Sequence, residues 1–340
     1  MSRHDHTRIR WGILSTGHIA SVLTRDLALL PDEAAVVAVG SRSLAKAEQF
    51  AADYQIPRAY GSYAELAADP EIDVVYVAST HNDHLASARL CLEAGKAVLV
   101  EKPLTVSAAE AEDLITLAGS RGLFLMEALW TRTNPLLRRA AEAVEAGELG
   151  AIRHVTASFG FAFRGEKTHR LLDPDQAGGA ILDLGVYPVH GVNLFLGEPD
   201  ELYGFGTLAS TGVESHAAAL LTFPGTEFRP PATASIVCSL EADLPTRLEV
   251  QCSDGSVRLD NFLLPDEMTL VRGIGDHREE ETLVTQWSGG GYTFEISEVN
   301  RCLRAGELES SLVPWRDTLA VARTLDRWLL SIFPPLDPEL

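Results

Sequence analysis

The sequence predicts an α/β protein in two parts: a doubly wound parallel sheet, then an α+β domain with a mostly antiparallel open sheet. Three observations lead there. Short β-branched runs alternate with amphipathic stretches of helical period through the first third of the chain, the rhythm of parallel β-α-β units. Beyond about residue 130, extended runs follow one another with few helices between them, the pattern of antiparallel pairing. The 340 residues amount to two domains at about 150 each, enough to bury a core without disulfides or metals.

Taken in order, residues 9–14 form a strand, a Gly-containing turn follows, and a helix covers 18–30. A strand over 36–40 and a helix over 44–53 come next. Residues 74–78 are almost wholly apolar, as a strand buried on both faces must be. A helix over 84–94, a strand over 97–100, a helix over 107–120 and a strand over 123–127 complete the series. Ser107 and Glu110 are spaced as a capping box at the last of these helices. After a helix over 135–145, extended runs cover 152–163, 202–208, 217–223, 232–240 and 247–252. Turn clusters such as Phe223-Pro224-Gly225 and Cys252-Ser253-Asp254-Gly255 punctuate them. A helical segment over 179–196 interrupts the strands, and helices return at 292–305 and 315–332. The charged run 276–281 reads as a solvated loop. The expected division is residues 1–129 and 130–340, with the C-terminal helix free to pack back on the first domain.

Lys and Arg number 28 against 48 Asp and Glu, a net charge of −20. That excess argues against sequence-independent nucleic-acid binding and against polybasic attachment to anionic lipid. No run approaches the roughly 18 consecutive apolar residues of a membrane helix, and the polar start lacks the apolar core of a signal peptide. Cys91, Cys238, Cys252 and Cys302 are scattered with no C-x-x-C, which reads as buried free thiols rather than a disulfide framework. No internal repeat is visible. The expected location is the cytoplasm.

The first strand runs into Ser15-Thr16-Gly17-His18-Ile19-Ala20. The dinucleotide fingerprint G-x-G-x-x-G/A belongs at this place, and its three slots hold Ser15, Gly17 and Ala20, so the first glycine is missing. The strand-turn-helix context restores much of the signal, because the helix start would face a pyrophosphate. The expected fold of this part is therefore a Rossmann domain, with Ser15, Thr16, Gly17, His18 and Ile19 at the cofactor. The second strand ends in Gly40-Ser41-Arg42-Ser43, without the Asp or Glu that bonds both ribose hydroxyls of NAD. Ser41 and Arg42, with Lys46 one turn on, suit a 2′-phosphate, so NADP is preferred over NAD. The alternative is that Arg42 is an ordinary surface residue at a helix start.

The strand over 97–100 leads into Glu101-Lys102-Pro103. Ligands of open α/β sheets sit beyond the carboxyl ends of the strands, so the Lys102 ammonium is aimed at the cleft, where it can bond a substrate oxygen and stabilise a developing alkoxide.

These stretches, with Trp11-Gly12-Ile13-Leu14-Ser15-Thr16-Gly17 and Gly178-Gly179-Ala180-Ile181-Leu182-Asp183-Leu184-Gly185-Val186-Tyr187, resemble the Gfo/Idh/MocA oxidoreductase family. Within it the chain is most similar to the dimeric dihydrodiol dehydrogenases, which also act as NADP-dependent D-xylose dehydrogenases. Residues 56–63 and 122–132 support the likeness. The resemblance implies that Lys102, Asp183 and Tyr187 form the active site, Tyr187 being general acid/base, Lys102 its electrostatic partner and Asp183 a hydrogen-bonding support. Asp183 and Tyr187 are spaced i, i+4 and share one helix face, and an ammonium favours the ionised form of a phenol. The same resemblance places Thr80, His81 and His84, with Glu101 and Lys102, along the cofactor. Trp130 and Arg132 would border the nicotinamide and substrate. Trp130 is otherwise ordinary core. Phe159, Phe161 and Phe163 alternate along a strand; Phe159 is taken as the one lining the pocket. His190 is a second donor or a packed helix histidine, and Pro188 sits awkwardly within the same helix. His81 and His84 lack an obvious third ligand, so no metal is expected.

The expectation is an NADP-dependent oxidoreductase moving hydride between nicotinamide and a secondary alcohol or hemiacetal carbon of a neutral sugar or cyclic diol, working as a homodimer. A non-catalytic NADP(H) sensor is the alternative from another class, and an enzyme that retains NADP and alternates between two sugars is a third.

Overall fold

Six strands and their crossovers account for most of the first hundred and thirty residues. In a computed structural model that describes residues 8–227 and 230–333, these are β1 (Ile9–Leu14), α1 (His18–Leu27), β2 (Ala34–Gly40), α2 (Leu44–Tyr54), β3 (Ala59–Tyr60), α3 (Tyr63–Ala68), β4 (Val74–Val77), α4 (His84–Glu93), β5 (Ala97–Glu101), α5 (Ala108–Arg121) and β6 (Leu125–Ala128). The strands pair in parallel in the order β3-β2-β1-β4-β5-β6. Every residue of β4, β5 and β6 is buried, which is why they read as unbroken apolar runs. The strand order reverses between β1 and β4, the switch point outside which open α/β sheets bind their ligands.

The second sheet follows α6 (Pro135–Glu145). Its strands are β7 (Ile152–Gly160), β8 (Glu201–Leu208), β9 (Glu214–Phe223), β10 (Ala232–Ser239), β11 (Leu244–Cys252), β12 (Gly255–Asp260), β13 (Glu267–Arg272) and β14 (Glu279–Val284). They lie in the order β14-β13-β12-β11-β7-β10-β9-β8, antiparallel except for the central β7–β10 pair. Between β7 and β8 a π-turn (Ile181–Gly185) continues into α7 (Val186–Leu196). The chain ends its described course with α8 (Thr293–Ala305) and α9 (Trp315–Ile332).

Two expectations change. The run 276–281 is not a loop throughout: Glu279, Glu280 and Glu281 open the edge strand β14, their side chains exposed. Charged side chains facing water are compatible with an edge strand, which is satisfied by backbone pairing on one side only. The division of the chain also differs from a single cut after residue 129. One compact unit holds the residues up to Thr105, Ala109–Thr133 and Trp287–Trp315; the other holds Val106–Ala108, Asn134–Gln286 and the chain from Arg316 on. The helix that returns to the first unit is α8, where the buried Trp11 indole N–H donates to Asn300 Oδ1 at 3.1 Å and Asp26 accepts the Gly290 and Tyr292 N–H groups.

Residues Pro174–Leu196 are long and apolar enough by composition to cross a membrane, but 89% of the most apolar 18-residue stretch within them is buried inside the protein, as in a core helix. All four cysteines are free, three of them buried, and burial pushes the Cys91 thiol up to about 12.

Candidate active site

The phosphate turn sits where the sequence puts it. Gly17 is the N-cap of α1 in extended conformation, makes no side-chain cap, and is followed by a first turn without acidic residues, so the backbone N–H groups of the helix start are available to an anion. Ala20, in the third slot of the fingerprint, is fully buried, as close helix-sheet packing requires. The backbone keeps the conformation of the missing first glycine: Ser15 has φ +92°, which a glycine would take without steric cost and a serine adopts under strain. The start of α2 repeats the arrangement, with Ser43 as an extended N-cap that makes no side-chain cap and no acid in the first turn.

Both helix starts open on one cleft of about 590 Å³, lined by Ser15, Thr16, Gly17, Ser41, Arg42 and Lys46 among others. Arg42 is three-quarters exposed and lies 3.4 Å from Asp83, a solvated pair of little energetic weight. Ser41 is buried and accepts the Ser43 N–H at 3.3 Å. Tyr63, which sequence reasoning missed, also lines the cleft. This donor set fits a dinucleotide: two helix starts for phosphate groups, with hydroxyls and cations at the end of β2. Of the residues assigned to the cofactor on the α1 side, Thr16 and Ile19 are half-buried and His18 is exposed.

Lys102 follows β5 directly, and a cis peptide bond joins it to Pro103. The bed beneath it is acidic. Glu101 is buried, accepts the Tyr76 hydroxyl, and takes the Lys102 backbone N–H at 3.2 Å. Burial and the neighbouring Glu101 hold the Tyr76 phenol well above its ordinary value. Glu127 accepts the Leu104 N–H at 3.0 Å. Glu295, at the start of α8, is completely buried with no hydrogen bond to either carboxylate oxygen; burial, then Glu101 and Glu127, push it far up, so it stays neutral. His84, assigned to the cofactor from sequence, has both ring nitrogens against backbone carbonyls, Pro103 at 2.8 Å and Ser79 at 3.2 Å. It ties the loop after β4, which carries Thr80, to the chain just past Lys102. Burial lowers its pKa. His81 is buried with its ring edge toward His84, at 5.6 Å. Among the described residues, no group of three or more His, Cys, Asp or Glu side chains is arranged to hold a metal. Trp130 stacks on Tyr292 with ring centroids 4.8 Å apart and planes within 6°, and Arg132 is buried nearby in the same short 3-10 turn.

In the second unit the Gly-Gly-Ala-Ile-Leu-Asp-Leu-Gly-Val-Tyr stretch folds as a π-turn running into a helix. Asp183 is 6% exposed and pairs with Arg170 at 3.2 Å. Tyr187 is 8% exposed, and the Phe159 ring meets it edge-on at 5.8 Å, so the phenylalanine picked from the strand pattern does adjoin the tyrosine. His190, at 2% exposure, is packed in the helix. Pro188 becomes intelligible: the π-turn widens the helix just ahead of it, where a straight α-helix would set its ring against the Leu184 carbonyl. The motif glycines mark close approaches. A Cβ on Gly178 would lie 2.5 Å from the Arg170 carbonyl oxygen, and one on Gly185 would lie 2.9 Å from the Trp328 ring. Sequence reasoning missed Arg170, Tyr292, Glu214 and Glu295; no local spacing signals them, because their partners lie elsewhere in the chain.

Residues 9–129 match the family model described as oxidoreductase family, NAD-binding Rossmann fold, and residues 137–258 match the GFO/IDH/MocA C-terminal domain. The chain is 38% identical over 326 residues to the trans-1,2-dihydrobenzene-1,2-diol dehydrogenase of Mus musculus, and 40% identical over 329 residues to that of Macaca fascicularis. Each alignment covers 94% of this chain and 95% of the relative. The chain belongs to the Gfo/Idh/MocA oxidoreductase family. A 3-ketoreductase of Actinomadura kijaniata, solved in complex with NADP and TDP-benzene, superposes on this Gfo/Idh/MocA member with a TM-score of 0.80 at 28% identity, covering 95% of this chain and 98% of the other. The chain is accordingly an NAD(P)-dependent oxidoreductase acting on CH–OH groups.

Proposed function

We propose that this enzyme uses NADP and moves hydride to or from a secondary alcohol or hemiacetal carbon of a neutral sugar or cyclic diol. The observation that carries the cofactor preference is the end of β2, where Ser41, Arg42 and Lys46 line the same cleft as the phosphate turn, beside the acid-free start of α2. A guanidinium fork and hydroxyls suit a 2′-phosphate, which an acidic side chain in that position would repel. For the substrate, the support is the name carried by the curated relatives and the wall that Phe159 forms beside Tyr187, an apolar surface suited to the ring face of a sugar or diol. The net charge of −20 disfavours anionic substrates.

When bound, the nicotinamide supplies the hydride acceptor or donor. In the oxidative direction the Lys102 ammonium bonds the substrate oxygen and favours its alkoxide character, while Tyr187, as the phenolate, takes the hydroxyl proton and becomes the neutral phenol. Asp183, itself paired with Arg170, supports the tyrosine side of the substrate. Trp130, backed by Tyr292, and Arg132 border the nicotinamide. A second copy of the chain covers the outer face of β8 and β9, where Tyr203 and Phe205 are 60% and 72% exposed and Leu220, opposite Tyr203, is 45% exposed.

The test is a panel of aldoses, inositols and trans-dihydrodiols with NADP and with NAD, followed by the absorbance of the reduced nicotinamide. The expected result is turnover of at least one neutral polyol, with kcat/KM higher for NADP by about tenfold or more, the worth of one charge-assisted contact. A preference for NAD, or no turnover across the panel, contradicts the reading.

A further inference from the structure

Glu214 is a buried acid that the proposed chemistry does not use. It is the first residue of β9, 2% exposed, and its Oε1 accepts the Ile181 backbone N–H at 2.9 Å, at the start of the π-turn. Ala180, the residue that precedes that turn, supplies no side-chain cap. The contact is also built into the motif: Gly179 has φ +128°, and a Cβ there would sit 2.2 Å from Glu214 Oε1, so only glycine lets the carboxylate reach this position. Resting on the catalytic reading of Asp183 and Tyr187 above, we infer that Glu214 is a positioning residue whose carboxylate fixes the start of the segment that presents those two side chains.

A negative charge is favoured at this end of the segment, where backbone N–H groups point outward, and a charged acceptor bonds more strongly than a neutral one. Burial opposes that charge and pushes the Glu214 carboxyl up to about 7. The titratable neighbour from a packed element is the Cys238 thiol on β10, itself held well up and neutral by burial. Glu241, after β10, accepts the adjacent Ser215 hydroxyl. Above neutrality Glu214 is ionised and the anchor is tight; below, a proton weakens it and the Asp183–Tyr187 segment loosens.

The experiment is kcat and KM against pH for the wild type, Glu214→Gln and Glu214→Ala, with NADP binding measured separately by nicotinamide fluorescence. Wild-type kcat is expected to fall as pH drops through about 7. Glu214→Gln keeps an acceptor but does not titrate, so it loses that limb and runs at a plateau about fivefold lower, the cost of replacing a charged hydrogen bond by a neutral one. Glu214→Ala falls further, and both variants bind NADP as the wild type does. A Glu214→Ala enzyme with wild-type kcat overturns the inference, as does a Glu214→Gln enzyme that retains a wild-type limb near neutrality. Tyr187→Phe separates the two levels: if it stays active, the catalytic reading itself fails. If it is inactive while the Glu214 variants behave as wild type, only the role of Glu214 falls.

Discussion

The cleft at the starts of α1 and α2, proposed above as the cofactor cradle, and the segment that carries Asp183 and Tyr187 hold their side chains in opposite ways. In the cradle, Arg42 and Lys46 stand in solvent, the starts of α1 and α2 have no side-chain caps, and Ser15 carries a strained φ. In the segment, Asp183 and Tyr187 are buried, as is Glu214 on β9 against its start, and glycines sit where a carboxylate, a carbonyl or the Trp328 ring approaches. The contrast suits the two tasks proposed for them. An anion is drawn by charge acting over several ångströms and orders exposed cations as it arrives. Proton transfer fails when donor and acceptor are misplaced by about 1 Å, so its groups are fixed before the substrate comes.

Arg42→Ala is the sharper probe of the cradle. Affinity for NADP should fall about 10- to 100-fold, the loss of charge-assisted contacts to a phosphate, while affinity for NAD and the unfolding temperature stay near wild type. Raising the salt concentration should narrow that gap. An equal loss for NAD and NADP would show that Arg42 serves the shared part of the cofactor; a lowered melting temperature would show that the exposed cation is structural after all.

Glu295→Gln has a smaller expected effect and probes a buried acid of the first unit, in contrast to its exposed cations. The Glu295 carboxyl is raised above its ordinary value near 4.5, so the folded protein prefers it protonated while the unfolded chain ionises it. That preference costs nothing below about pH 4.5 and lowers wild-type stability as pH rises through the folded-state pKa, by at most about 1.4 kcal/mol per pH unit. The amide has no proton to lose. The variant should therefore match the wild type in thermal unfolding at pH 4 and exceed it increasingly toward pH 8. Equal curves at every pH would mean the carboxylate is charged and compensated.

The same contrast governs what the sequence discloses. The parallel sheet was legible because its strands are buried on both faces and bracketed by helices; only the two-residue β3 and the short α3 escaped. In the second sheet β12, β13 and β14 were missed: β14 is exposed and charged and owes its conformation to backbone pairing, whereas β12 and β13 do bury apolar residues, but over runs of only six residues each. Site residues divide likewise. Gly17, Arg42 and Tyr187 could be named from their addresses at strand ends or within a motif. Glu214 could not, because its partner Ile181 lies 33 residues away, and neither could Tyr292, which meets Trp130 only through the return of the chain to the first unit.

Lys102 is where the account is most exposed. In Lys102→Met, NADP binding by fluorescence titration should stay within about threefold of wild type, while kcat for the best polyol falls about a thousandfold or more, as when an electrostatic stabiliser of a developing alkoxide is removed. Wild-type turnover in Lys102→Met would contradict the proposed chemistry outright.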